Sequence, residues 1–256
     1  MKGLKITYLF LAILGLLVFA SASRAAGIAD TKHNLSTSGT GSIHVSSGTG
    51  EICVFCHTPH GADTAVAAPL WNRAQTTATF SMYTSPSLDA TTGSAPTGTS
   101  LACLSCHDGT VAFDAIRNLP GSGGFTDSTT VASAGWTFVG APGSVMPAGI
   151  TNIGTDLRND HPISMIYADA RSPSSTSALQ TAGFRAIVTT GSKKCVGGAD
   201  CNDAAALPLS SATIGGAADY VQCTSCHDPH RSDTPTFLRK SNAGSALCLT
   251  CHVKDG

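Results

Sequence analysis

Four copies of one short pattern, Cys-x-x-Cys-His, hold eight of the ten cysteines of this 256-residue chain. In this pattern the two thiols can add across the vinyl groups of a haem, and the adjacent histidine is placed to ligate the iron from one face. Zinc ribbons and thiol oxidoreductases also use Cys-x-x-Cys, but neither predicts a histidine directly after every pair. We therefore expect four covalently attached haem c groups. Numbered in chain order, motifs 1 to 4 are Cys53, Cys56 and His57; Cys103, Cys106 and His107; Cys223, Cys226 and His227; and Cys248, Cys251 and His252.

A haem iron with six ligands needs a second axial group on the face opposite the motif histidine. Five histidines lie outside the motifs, so four of them suffice to give every iron two histidine ligands, and one is spare. We expect His44 to be the spare one. Methionines could ligate iron in principle, but their side chains more often fill cores. The predicted distal ligands are His33, His60, His161 and His230.

Two of these histidines stand three residues after a motif histidine, His60 after motif 1 and His230 after motif 3. A chain tied to one face of a macrocycle cannot easily reach the far face within three residues, so each should ligate a different haem. Since the next motif along the chain is the nearest in sequence, we assign His60 to motif 2 and His230 to motif 4. His33 and His161 then remain for motifs 1 and 3.

The N-terminus has the features of a secretory signal. Lys2 and Lys5 precede an apolar run over residues 6–20, and small residues follow up to Ala25. The run is about fifteen residues, which is short for a bilayer span of about 20. We expect a signal peptide over residues 1–25, with an uncleaved anchor as the alternative. The mature protein should then be secreted to the cell surface or beyond, or else stay in the periplasm, without membrane insertion.

The charge of the mature chain excludes some partners. Removing residues 1–25 removes three basic residues and no acidic one, so the formal charge falls from −1 to −4. Haem propionates would make the protein more acidic still. Nucleic acid and anionic lipid are therefore poor candidate partners, because both attract basic surfaces.

Composition predicts little regular secondary structure, since charged residues are 12% of the chain and Gly, Ser, Thr and Ala dominate long segments. We expect a mostly irregular, loop-rich fold with short α-helices and a few short strands, packed around four haems. Residues 26–256 should form one tetrahaem cytochrome c domain, with residues 171–220 as an insertion. In the insertion, Cys195 and Cys201 lack a following histidine and flank two glycines, which predicts a disulfide in an oxidising compartment.

The chain contains, in order between residues 31 and 252, the segments HNLSTSG, EICVFCHTPH, PLWNR, CLSCHDG, NDHPIS and CTSCHDPH. Together they resemble the tetrahaem cytochromes with doubled haem motifs, in particular the OmcE-like family of extracellular cytochrome filaments; the insertion resembles that family least. The resemblance implies subunits that polymerise, haems in a continuous chain, and one haem that takes its distal histidine from a neighbouring subunit. His33, near the mature N-terminus, is our candidate for the donated ligand, ahead of His161.

Ligation by two histidines leaves no open iron position, which favours electron transfer over a multihaem reductase. Without axial methionine, the reduction potentials should be comparatively low. We therefore expect an electron-transfer cytochrome, not an enzyme, that polymerises with copies of itself and exchanges electrons with other redox proteins or extracellular acceptors. A monomeric periplasmic tetrahaem shuttle is the alternative, and a multihaem reductase subunit is less favoured.

Overall fold

The computed structural model describes residues 27–121, 132–171, 183–217 and 219–253, so the predicted signal peptide lies outside the described residues. The helices are short, and none in these ranges is long and apolar enough to cross a membrane. Helix α1 is Gly98–His107, α2 is Tyr167–Arg171 and α3 is Cys223–Cys226. Turns of 3₁₀ helix are Ile28–Asp30, Cys53–Phe55, Pro142–Ser144, Pro235–Phe237, Ala243–Ser245 and Cys248–Thr250.

Short strands pair into small antiparallel sheets in the described part of the chain: β1 with β4, β2 with β3, β5 with β9, and β6 with β7 and β8. The strands are β1 His44–Ser47, β2 Ala115–Ile116, β3 Ala132–Ser133, β4 Thr137–Val139, β5 Met165–Ile166, β6 Ile187–Thr190, β7 Lys193–Val196, β8 Leu207–Pro208 and β9 Tyr220–Val221.

The predicted loop-rich fold with short helices and short strands is confirmed. Its physical cause is visible at the end of α1, where Gly109 adopts φ +72° and donates its N–H to the carbonyl of Cys106 at 3.2 Å. Glycine takes this left-handed conformation without the steric cost that a Cβ brings, and so ends the helix. Glycines in this conformation recur along the described chain, which keeps the helices short.

Buried hydrophobic side chains form several small clusters among the described residues, and the haem motifs line them. In the largest cluster, Phe55, Phe113 and Phe138 lie against one another, with ring centroids 5.4 Å apart for Phe113 and Phe138. Cys56 and Cys106 pack against this cluster from motifs 1 and 2. Met146 and Met165 are buried in such clusters, as expected of core methionines.

The insertion contributes the three-stranded sheet of β6, β7 and β8. Cys195 and Cys201 form a disulfide with their Cα atoms 5.5 Å apart, which confirms the predicted bond. The sheet is tied to motif 3, because Ser210 follows β8 and exchanges backbone hydrogen bonds with Tyr220, three residues before Cys223. The described part of the insertion therefore packs beside a haem motif.

Candidate haem sites

Each motif lies on a short helical turn. In motifs 1, 3 and 4 the histidine N–H donates to the carbonyl of the first cysteine, at 2.8, 3.0 and 2.9 Å, and in motif 2 the whole pattern lies in α1. Residues three and four positions apart share one face of a helical turn. Both cysteines and the histidine of a motif are therefore presented on one side, as attachment to one macrocycle requires.

The motif imidazoles are oriented by backbone carbonyls. The Nδ1 atoms of His57, His107 and His227 lie 2.6, 2.7 and 2.8 Å from the carbonyl oxygens of residues 69, 151 and 236. A carbonyl oxygen only accepts hydrogen bonds, so Nδ1 must donate and the lone pair is left on Nε2. Metal-ligating histidines typically use this second hydrogen bond. The donor set thus fits haem iron.

Three motif histidines face a second imidazole. The ring centroids of His57 and His230 are 6.1 Å apart, and those of His107 and His33 are also 6.1 Å apart. His252 and His161 are separated by 6.4 Å. Two imidazole nitrogens on opposite sides of one metal, each about 2.0–2.1 Å from it, hold their ring centres roughly 6 Å apart. The three pairs therefore have the spacing of bis-histidine iron sites.

The burial of these rings favours their neutral form, which is the form that ligates metals. Burial and the neighbouring His107 lower the pKa of His33 to about 4. Burial likewise lowers the pKa of His107, and burial together with His161 lowers the pKa of His252. At neutral pH these imidazoles do not need to lose a proton before they bind iron.

The observed pairs differ from the sequence-based assignment. His230 faces His57 of motif 1 and not motif 4, and His107 of motif 2 faces His33 and not His60. His161 faces motif 4 and not motif 1 or motif 3. The assignment of each histidine to the nearest motif in sequence does not match these pairs, because contacts between distant segments determine which rings face each other.

The packing around His33 shows this cause directly. The His33 ring stacks on Phe237, with centroids 4.4 Å apart, and its Nδ1 is 3.4 Å from the carbonyl oxygen of Pro229. Both partners belong to the segment that follows motif 3. In this structure the His33 ring is therefore held by its own chain, which favours His33 as an internal ligand over the predicted donation to a neighbouring subunit.

Three histidines are outside these pairs. Among the described residues, which include every histidine of the chain, no second imidazole faces His227 at the spacing found in motifs 1, 2 and 4. His60 has an exposed side chain, and its carbonyl accepts hydrogen bonds from Thr58 Oγ1 and Asn118 Nδ2 at 2.9 and 2.8 Å. His44 lies on β1 with Nδ1 2.9 Å from the Gly41 carbonyl oxygen. In this structure motif 3 is the one motif whose histidine is not opposed by another imidazole among the described residues.

The motif cysteines place the four sites in chain order. Burial and the nearby Cys106 thiol raise the pKa of Cys56 to about 12. The neighbouring Cys223 thiol and burial raise the pKa of Cys103, and burial together with the Cys226 thiol raises the pKa of Cys251 to about 12. The cysteines of motifs 1 and 2, of motifs 2 and 3, and of motifs 3 and 4 are therefore close enough to influence one another. Groups attached to these sulfurs would form one uninterrupted row.

A buried polar network sets the contact between motifs 2 and 3. Ser100 in α1 donates its hydroxyl to Gln222 Oε1 at 2.5 Å and accepts from the Cys223 N–H at 2.9 Å. Ser164 also donates to Gln222 Oε1, at 3.1 Å, and Gln222 Nε2 donates to Thr97 Oγ1 at 3.2 Å. The position of Gln222 in the sequence was the one indication of its role, because it directly precedes the first cysteine of motif 3 and caps α3.

A cavity of about 710 Å³ opens beside motif 1. Its lining includes Cys53, His57 and His60 of the motif 1 segment together with Asn118 and Pro120. Its volume lies within the range of about 300–1,000 Å³ that is usual for ligand and cofactor sites. The cavity and the orientation of His57 together fit a bound macrocycle.

One comparison with known proteins bears on these sites. A family model described as "Doubled CXXCH motif" matches residues 216–256, which hold motifs 3 and 4. No curated protein matches the chain. With the match, the repeated motif and the imidazole geometry, the chain is a c-type cytochrome that binds haem covalently through Cys-x-x-Cys-His.

Proposed function

We propose that this cytochrome carries four haems, transfers electrons, and polymerises into an extracellular electron-conducting filament. The observation that carries the proposal is the ligand pattern: three motifs have an internal second imidazole and the remaining motif has none. Four attached haems in chain order would make each subunit a short conductor. A missing ligand at one motif would require a second subunit.

When bound, each haem supplies a one-electron iron(III)/iron(II) couple. The chain's own residues hold that couple in a nearly constant geometry. Nδ1 hydrogen bonds fix the motif imidazoles, and the opposing rings come from distant segments that pack against them. Two histidines on an iron leave no position for a substrate, which supports electron transfer and disfavours a reductase.

Motif 3 is the site that another subunit would complete. His227 is exposed, and among the unpaired histidines His60 is exposed beside motif 1. His60 is held at its backbone by Thr58 and Asn118, so its side chain projects from a fixed point. We assign the donated ligand to His60. His44 is the less favoured donor, because its ring is half-buried against the Gly41 carbonyl.

Secretion is part of this proposal. It rests on the predicted signal peptide and on the disulfide of the insertion, since disulfides form and persist in oxidising compartments. Other redox proteins or extracellular acceptors would then exchange electrons with the exposed end of the haem row.

Three measurements test the proposal: intact mass, electron paramagnetic resonance and electron microscopy. The intact mass of the mature protein should correspond to four covalent haems, and electron paramagnetic resonance of native filaments should show only low-spin iron. The His60→Ala variant should lose filaments in electron micrographs and gain one high-spin haem per subunit. The matched control, His44→Ala, should keep both properties.

The outcomes separate the rival functions. A wild-type protein that stays monomeric with four low-spin haems would be the periplasmic shuttle. A wild-type filament with one high-spin iron that binds small ligands would support a reductase. Filaments of His60→Ala with four low-spin haems would exclude His60 and leave His44. His230→Ala should make the iron of motif 1 high-spin without preventing assembly, because that ligand is internal.

A further inference from the structure

Arg73 is a fully buried cation, with 0% of its surface exposed. Its Nη1 donates to the carbonyl of Phe113 at 2.7 Å, and its Nη2 donates to the carbonyls of Ala112 and Ser105 at 2.8 and 3.2 Å. Its Nε donates to Ser105 Oγ at 3.2 Å. All of these acceptors are neutral. The guanidinium, a group that is charged in all proteins, is therefore held by neutral dipoles.

The buried charge is unusual for this molecule. In contrast, Arg117 is also mostly buried but pairs with the carboxylate of Asp63 at 3.1 Å. In the described part of the chain no carboxylate lies within salt-bridge distance of Arg73. Burial of an uncompensated charge is costly unless hydrogen bonds offset it. The presence of a charge at this cost suggests that it affects the haem motifs next to Arg73.

Arg73 lies between motifs 1 and 2. The residue before it, Asn72, donates its backbone N–H to the carbonyl of Cys56 at 2.9 Å, and Ser105 belongs to motif 2. The guanidinium contacts Ser105, which directly precedes Cys106, and Arg73 directly follows the residue that is hydrogen-bonded to Cys56. These are the cysteines whose sulfurs would be bonded to the first two macrocycles. The same cation is thus close to both attachment sites.

We propose that Arg73 raises the reduction potentials of the haems at motifs 1 and 2. Reduction adds one electron to an iron and so makes its site more negative by one charge, which a fixed positive charge in a low-dielectric interior favours. This would set motifs 1 and 2 apart from motifs 3 and 4 in the row. The proposal rests on haem attachment at motifs 1 and 2, as proposed above.

The test is spectroelectrochemical titration of the haem-loaded protein, in which an electrode supplies the electrons. A unit charge about 10 Å from a redox centre, acting through an effective dielectric of about 20, changes the equilibrium by roughly tenfold. In Arg73→Gln, two of the four reduction steps should therefore move by about 59 mV to more negative potential, the equivalent of a tenfold change for one electron. The other two steps should stay in place.

Two further variants separate charge from structure. Arg73→Lys keeps the charge but cannot make the same set of hydrogen bonds, so it should lower the urea midpoint yet keep the potentials near those of wild type. Lys193→Gln removes one positive charge from an exposed side chain on β7 and should leave all four steps unchanged. Equal shifts in Arg73→Lys and Arg73→Gln would overturn the proposal, because hydrogen bonding and not charge would then be the cause.

A haem count by intact mass accompanies every titration. Fewer than four haems on the wild-type protein would contradict the proposed function and not the role of Arg73. If Arg73→Gln alone matures poorly, Ser105→Asp provides the same electrostatic change, because a carboxylate beside Nε neutralises the guanidinium. The potentials are read from Arg73→Gln or Ser105→Asp, whichever carries all four haems. Unchanged potentials would overturn the proposal, and a negative shift confined to two reduction steps would support it.

Discussion

Replacement of Gln222 should measure how much one buried hydrogen-bond network contributes to the free energy of unfolding, apart from the covalent attachment of the haems. Gln222 is 1% exposed, and its amide makes hydrogen bonds with the hydroxyl groups of Ser100, Ser164 and Thr97. Methionine has nearly the same length but can replace none of these bonds. At about 1 kcal/mol for each net hydrogen bond, Gln222→Met should lower the free energy of unfolding by about 3 kcal/mol.

The assay is urea unfolding of the haem-loaded protein, followed by far-ultraviolet circular dichroism. Gln75→Met is the matched control, because that glutamine is only half-buried and its side chain donates one hydrogen bond, to Asp63 Oδ2 at 3.0 Å. The control should lose about 1 kcal/mol or less. If Gln222→Met loses less than about 1 kcal/mol of unfolding free energy, with the slope of the transition unchanged, the network does not stabilise the contact between α1 and α3 as argued.

Three further changes have defined outcomes. Cys201→Ser with Cys195→Ser opens a loop of sequence separation 6 and should cost about 2 kcal/mol in urea unfolding, through the entropy that the bond removes from the unfolded chain. Gly98→Ala should destabilise by about 2 kcal/mol or more in the same assay, because the residue has φ +56° and the added Cβ would clash with the backbone carbonyl oxygen of Ser211. Hydrogen bonds from Arg158 lower the pKa of Asp156 to about 2. The Asp156 carboxylate therefore stabilises the fold above pH 4, and this contribution is lost as the pH falls through 2. In Arg158→Ala the pKa of Asp156 should return towards 3.8, as measured by a carboxyl NMR titration.

Local spacing was enough for several features of this protein. The bond between Cys195 and Cys201 could be predicted because only six positions separate them and glycines allow the turn. The loop-rich fold followed from composition, since frequent glycine, serine and threonine favour turns over long helices. The presentation of each motif followed from the geometry of one helical turn. None of these features depends on how distant segments meet.

The distal histidines depended on distant segments, and there the sequence was not sufficient. His230 is three residues after motif 3, yet its ring faces His57 of motif 1. His33 packs beside Pro229, which is nearly 200 residues away in sequence. Arg73 had no spacing signal at all, because its carbonyl partners come from segments 32 to 40 positions away. Covalent attachment is a property of five consecutive residues, whereas the second ligand and the charge around an iron arise from packing between segments, which only the tertiary structure specifies.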